Sequence, residues 1–248
     1  MEILITNDDG WGSKGILLLT RLLLPLGHVT VVAPDGARSG MSNAISAVDD
    51  ITFKKIPTPP DLQGADIYIT SGTPSDCIKL AVNVLFGEDS SRIDLVVSGI
   101  NHGSNAAINI IYSGTMGACF VAAEQGIPAI GFSIYDMNAN PDFSYMEPYI
   151  VPLIKELYAK GMPRTVCYNV NAPKGPIQDI RYTRQCVSHW EKEMRPIRLD
   201  NGETAYRMTG SLVNDEPEAQ DTDEWALAHG YLSVQPCSVD MTYHGTIG

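Results

Sequence analysis

Residues 2–34 read EILITNDDGWGSKGILLLTRLLLPLGHVTVVAP, and this stretch decides the fold. The apolar run Ile3–Leu4–Ile5 has no polar face, and the β-branched run Val29–Thr30–Val31–Val32 is nearly the same. Between them, GILLLTRLLLPLG carries enough leucine to mark a helix buried against something. A strand, a helix and a strand, with both strands apolar on both faces, indicate a parallel sheet covered by helices on its two sides. The loop that joins the first strand to the helix is unusual. Its residues Gly10-Trp11-Gly12-Ser13-Lys14-Gly15 satisfy the dinucleotide-binding spelling G-x-G-x-x-G, yet Asp8 and Asp9 stand directly in front of them.

Working outward, the alternation continues. ADIYITSG reads as a strand, SDCIKLAVNVLF after Pro74 as a helix, IDLVVSGIN as a strand, TMGACFVAAEQG as a helix and PAIGFS as a strand. The helix YMEPYIVPLIKELYAKG then leads to the strand TVCYNVNAP. The fold class expected is therefore α/β, a Rossmann-like, doubly wound and mostly parallel sheet over residues 1–174. From about Gly175 the texture changes. DIRYTRQCV, ETAYRMTG and GYLSVQPC read as antiparallel strands separated by acidic, loop-like sequence, so residues 175–248 form a β-rich extension of the same single domain. There is no internal repeat or low-complexity linker.

Composition narrows the function. Seventeen Lys plus Arg against 29 Asp plus Glu give a net charge of -12, which repels a polyphosphate backbone, and the densest positive segment, HWEKEMRPIR, is interleaved with glutamates. No nucleic-acid polymer is expected as a partner. MEILITND has neither the charge nor the length of a signal or transit peptide, and no apolar stretch reaches membrane-spanning length, so the expected location is the cytoplasm. Cys77, Cys119, Cys167, Cys186 and Cys237 are odd in number and lack C-x-x-C spacing, which fits buried free thiols better than a disulfide framework or a zinc site.

The strand ends carry the chemistry. The successive strands run out into Asn7-Asp8-Asp9-Gly10, into APDGARSGMSN (33–43), into Ser71-Gly72-Thr73-Pro74 and into Gly99-Ile100-Asn101-His102-Gly103. In open parallel sheets ligands bind at the carboxyl ends of the strands, where these loops would converge. Gly10–Gly15 following a strand, with Asp35 at the end of the next strand, supports a dinucleotide and hence an NAD-dependent oxidoreductase. Asp8 and Asp9 oppose it. Each carboxylate about 5 Å from a pyrophosphate charge would repel it by roughly 3 kcal/mol at an effective dielectric near 20, more than a helix dipole returns. A divalent cation reverses the sign, because the carboxylates then hold the metal and the metal holds the phosphate.

ILITNDDG, VVAPDGARSGMSNAIS, SGTPSDC, SGINHGSN and YSGTMGA, with GYLSVQP and VDMT near the end, occur in order over most of the chain. Together they resemble the survival protein SurE family of metal-dependent phosphatases acting on nucleoside monophosphates. The resemblance implies a homodimer or homotetramer and hydrolysis of 5′-monophosphates, with 3′-monophosphates open. It implies metal ligation by Asp8, Asp9, Ser39 and Asn101, and a phosphate near Asn7, Gly40, Ser42, Asn43, Ser113, Gly114 and Thr115. Two carboxylates, a hydroxyl and an amide oxygen make an all-oxygen shell suited to one Mg²⁺ or Mn²⁺ per subunit. YSGT precedes a helix, so its N–H groups can face an anion, and Ser113 can at the same time be an N-cap.

Two mechanisms stay open at this level: water attack on phosphorus in line, or Asp8 or Asp9 acting as base or nucleophile. His102 reads as a solvated or capping turn residue rather than a general acid, and Asp76 as a cap supporting its loop. Asp240 and His244 resemble a family feature that holds the C-terminal segment against a neighbouring subunit. Ala107 stands where the family usually has glycine, Asn109 where an acid lies nearby, and Val121 where the following helix often has an acid. These departures, with the less family-like loop NANPDFSYMEP, bear on base selectivity and loop shape. A non-catalytic nucleotide-binding protein is the third reading.

Overall fold

The structure is a computed structural model that describes residues 1–136, 138 and 140–242. Its strands are β1 (Glu2–Thr6), β2 (His28–Pro34), β3 (Phe53–Ile56), β4 (Ala65–Thr70), β5 (Leu95–His102), β6 (Ala129–Ile134), β7 (Val166–Ala172), β8 (Ile180–Tyr182), β9 (Ser188–Glu191), β10 (Met194–Arg198), β11 (Thr204–Met208), β12 (Ser211–Asn214) and β13 (Leu232–Ser238). The helices are α1 (Lys14–Leu23), α2 (Pro74–Leu80), α3 (Gly114–Glu124), α4 (Glu147–Lys160) and α5 (Asp223–Ala228). Nine strands form one sheet in the order β3-β4-β2-β1-β5-β6-β7-β13-β8. From β4 to β7 every pairing is parallel. The strand order reverses between β1 and β5, so the crevice beyond their carboxyl ends is the expected ligand position.

Side-chain alternation explains the two covered faces. Ile3 and Ile5 of β1 face one core with Val29, Val31, Leu95 and Val97, packed by Ile16, Leu19 and Leu23 of α1 and Ile150, Leu153 and Leu157 of α4. Leu4 faces the opposite core with Val32 and Val96, covered by Cys77 and Ile78 of α2 and Met116, Cys119 and Ala122 of α3. Period-two alternation sends neighbours to opposite faces, and both faces are dry, which is why the strands show no polar side. Gly15 is dictated by this packing: a Cβ there would run into the Ile100 carbonyl, so α1 lies directly on β5. All five cysteines are free and buried. No helix among the described residues is long and apolar enough to cross a membrane.

The C-terminal part departs from the sequence-based expectation. Its strands are not uniformly antiparallel: β13 enters the main sheet antiparallel to β7 but parallel to β8. The chain between β8 and β13 reaches out as an arm, in which β9 pairs with β12 and β10 with β11, before α5 brings it back. The acidic run Asn214–Glu224 is not loose either. Arg184 binds Glu216 at 2.6 Å and Asp221 at 2.8 Å, and the Thr222 side chain caps α5 by accepting from Trp225 N–H. β3 is an edge strand whose Lys54 and Lys55 are exposed, a pattern that discourages pairing with another chain. His244 lies outside the described residues.

Candidate active site

The ends of β1 and β5 meet at the reversal in strand order. Asp8 follows β1 directly and is only 4% exposed. Its Oδ1 accepts a 2.6 Å hydrogen bond from the Thr115 hydroxyl at the start of α3. Burial pushes its pKa up to about 6, and the Asp9 charge adds to this while the Thr115 bond opposes it. Gly114 makes the approach possible, since a Cβ there would lie 2.9 Å from Asp8 Cβ. Asp9 is less buried; its Oδ2 accepts from His102 N–H at 3.2 Å, and burial raises its pKa also. Two carboxylates thus sit side by side in a site that penalises their charge.

Asn101 is aimed by an irregularity in β5. The β5–β6 register shifts between Ser98 and Asn101, around Gly99 at φ 122°; such bulges re-aim side chains. The Asn101 amide nitrogen donates to Gly103 O at 2.7 Å and to Asn105 Oδ1 at 3.4 Å. Its Oδ1 is therefore the atom left to accept or ligate. Asp8, Asn101, Ser39, Gly40 and Ser113 line a single cavity of about 480 Å³, within the ordinary size range of small-molecule sites. The donor set fits a hard divalent cation. A buried acidic pair needs a positive partner, and Asn101 Oδ1 and the Ser39 hydroxyl add neutral oxygens. Among the described residues no cluster of three or more His, Cys, Asp or Glu offers a rival metal position.

The residues named for phosphate fall into four places. Gly40 and Ser113 line the cavity, and Ser113 also caps α3 by accepting from Met116 N–H at 3.0 Å. Gly114 and Thr115 adjoin Asp8, and as the first helical residues their N–H groups have no carbonyl one turn back to bind. Ser42 and Asn43 line a second cavity with Phe120, Gln185 and Met241. Ser42 is turned there by two bonds to the segment before α3, from its Oγ to Ile111 O at 2.6 Å and from its N–H to Tyr112 O at 3.1 Å. Asn7 spends its amide on the loop itself, donating to Gly10 O and Ser13 Oγ, and its buried Oδ1 has no partner among the described residues. That acceptor suits a cation or a hydroxyl better than a phosphate oxygen.

Asp76 caps as expected: with Thr73 it forms a capping box on α2, and its carboxylate also holds Ser46 N–H and Oγ. The expectation for His102 does not hold. Its Nε2 is buried without a partner among the described residues, and the side chain lines the cavity instead of facing solvent. Asp35, the acid of the dinucleotide reading, is paired with Arg38 at 2.9 Å.

Several cavity residues are invisible to motif reading because they come from the extension or from plain loops. Trp190, Leu212, Tyr135 and Lys174 complete the lining. Asp223, fully buried, accepts from Ala107 N–H at 2.8 Å and Cys186 N–H at 2.9 Å. This pins the loop that leads to Ser113. Ala107 has φ 52°, the left-handed region that favours glycine. Next to Asp223, Glu224 has a buried Oε1 without a partner among the described residues, and burial followed by the Asp223 charge pushes its pKa up to about 7. A folded-state pKa above the unfolded value of 4.5 means that the penalty is absent below about pH 4.5, grows through the interval and is complete above about pH 7. Glu224→Gln is thus expected to stabilise the fold at pH 8 by on the order of 2 kcal/mol, discounted for partial exposure, and to leave it unchanged at pH 4. Urea unfolding at the two pH values checks this; an equal effect at both would contradict it.

The family model described as "Survival protein SurE" matches residues 3–192. A "5'-nucleotidase SurE" of Flavobacterium psychrophilum is 44% identical over 248 residues, covering 99% of this chain and 94% of that protein. A "5'-nucleotidase SurE" of Cytophaga hutchinsonii is 43% identical over 250 residues, with 99% and 94% covered. Among solved structures, the SurE protein from Aquifex aeolicus superposes with a TM-score of 0.82 at 32% identity, covering 98% of this chain and 96% of that one.

Proposed function

The chain belongs to the survival protein SurE family, and from that premise we propose that it is a 5′-nucleotidase, a divalent-metal-dependent phosphomonoesterase that converts nucleoside 5′-monophosphates to nucleoside and phosphate. The observation that carries this reading is the junction of the buried Asp8 carboxylate with the N-terminus of α3. The first residues of the helix adjoin the Asp8 carboxylate, with the Asp9 charge close by, an arrangement that makes chemical sense when a cation and an anion bind there together.

Asp8, Asp9, Ser39 and Asn101 would hold one Mg²⁺ or Mn²⁺. A bound divalent cation supplies Lewis-acid polarisation of a phosphate oxygen and acidification of water. The N–H groups of Gly114 and Thr115 then offset charge on the equatorial oxygens, at positions set before substrate arrives. Thr115 keeps Asp8 oriented through its hydroxyl. Asp9, held at Oδ2 by His102 N–H, has its other oxygen for a proton or the cation. Nucleoside 3′-monophosphates carry the same ester class and are proposed as secondary substrates.

We place the enzyme in the cytoplasm, in keeping with its buried free cysteines, and propose a homodimer or homotetramer. The arm supports assembly: Met194 is 58%, Tyr206 68% and Met208 73% exposed, and apolar side chains so clustered are candidates for an interface.

The test is phosphate release over a panel of 5′- and 3′-nucleoside monophosphates, with Mn²⁺ and after EDTA, on protein whose mass is read by light scattering. Release from 5′-monophosphates that EDTA abolishes and Mn²⁺ restores is the expected result. Metal-independent hydride transfer to NAD, or nucleotide binding without turnover, would overturn the enzymatic proposal; a monomer would overturn the assembly.

A further inference from the structure

The cavity lining is chemically mixed: Asp8 and Ser113 are polar, whereas Tyr112, Tyr135, Trp190 and Leu212 bring aromatic and aliphatic surface. Trp190 and Leu212 are direct cross-strand partners in the β9–β12 pair, so their side chains share one face of the arm's base. Trp190 is fixed in place, because its indole N–H donates to Asn109 Oδ1 at 2.9 Å. That bond also settles the amide. Its oxygen is occupied, and its NH₂ is left as a hydrogen-bond donor on the cavity wall. Asn109 lies four residues before Ser113, inside the 3₁₀ helix Ala107–Tyr112 that Ser113 ends, so the partner of the indole and the cap of α3 belong to one short segment.

Ring contacts among the described residues pair Phe53 with Tyr68, and Trp225 with His229 and Tyr231; none joins Tyr112, Tyr135 and Trp190 to one another. Three aromatic side chains thus line one cavity without stacking on each other, which makes them candidates to stack on a planar guest. Every nucleobase has a π-face and at least one ring nitrogen or carbonyl acceptor, and stacking on a protein ring is a recurrent way to bind it.

We propose that Trp190 is the platform for the substrate's nucleobase and that the Asn109 NH₂ donates to an acceptor on the base edge. This rests on the nucleoside monophosphate reading. It gives the C-terminal extension a share in substrate selection, with the arm's base forming the wall of the site.

The test compares adenosine 5′-monophosphate with ribose 5-phosphate, the same phosphomonoester without a base. Trp190→Ala is expected to lower the ratio of kcat/KM for the nucleotide to that for the sugar phosphate by roughly ten- to a hundredfold. Asn109→Asp, which keeps an oxygen for the indole but removes the donor, is expected to lower the same ratio by roughly tenfold. Trp190→Phe, which keeps a ring, should largely restore it. An unchanged ratio in Trp190→Ala, with both substrates falling together or neither falling, overturns the proposal. Binding is read separately: adenosine should quench the tryptophan fluorescence of the wild-type protein and lose that effect in Trp190→Ala. Quenching that persists in the variant also overturns it. Wild-type protein that releases phosphate from neither ester defeats the nucleotidase reading, while the quenching titration still decides the base platform.

Discussion

Replacing Asp8 by asparagine is expected to lower phosphate release about a thousandfold or more and to leave the protein folded and no less heat-stable. The two halves have the same cause. In the metal-free protein the carboxylate is buried, and its raised pKa records the cost of keeping a charge there beside Asp9. Asparagine has the same shape, its oxygen still accepts from Thr115, and the charge is gone, so the fold loses nothing. The proposed cation would lose an anionic ligand, and the transition state the stabilisation that a bound metal would provide; three powers of ten correspond to about 4 kcal/mol. A second readout separates the metal from the chemistry. Mn²⁺ should raise the melting temperature of the wild-type protein by linkage and fail to do so in Asp8→Asn. Full metal-dependent activity in both Asp8→Asn and Asp9→Asn would remove the site assignment altogether.

The second large effect is on stability and originates far from the acidic pair. Asp223→Ala strips the acceptor from two buried N–H groups, those of Ala107 and Cys186, which belong to the core and the extension respectively. Each stranded group costs about 1–3 kcal/mol. Removing a buried carboxylate with a raised pKa returns part of that, so a net loss of about 3 kcal/mol is expected, or roughly 6–12 °C in melting temperature for a chain of this size. Ala107 is the sensitive point, because its left-handed conformation is disfavoured for alanine and is held by this bond. Asp223→Asn should fall between wild type and Ala, since one oxygen remains while the NH₂ opposes a donor. A melting temperature unchanged in Asp223→Ala would mean that the loop before Ser113 is held by other contacts.

Much of this molecule is legible in one dimension. Ile3, Leu4 and Ile5 in succession require two dry faces, and the leucines of α1 supply one cover. Helix starts at Thr73 and Ser113 are marked by capping residues whose bonds are local. The charge conflict of the first loop is legible too, because two adjacent carboxylates at a strand end repel an anion whatever surrounds them. Less legible were features set by distant partners. Ser42 and Asn43 sit in the same motif as Ser39, yet the bonds from Ser42 to Ile111 and Tyr112 turn them toward another cavity. His102 lines the cavity just after the irregularity of β5 between Ser98 and Asn101, and no spacing announces either feature.

What the sequence by itself determined is the parallel core, its two apolar covers and the charge logic of the first loop, since alternation, capping and like-charge repulsion act between residues a few positions apart. Only the tertiary structure decided that β13 would run parallel to β8, that Asp223 would hold Ala107 across 116 residues and that Trp190 would reach Asn109 across 81. Those contacts join groups 81 and 116 residues apart, which no local periodicity or cap can pair, and they exist because folding the extension back onto the sheet brings a buried donor to an acceptor that would otherwise be left without one.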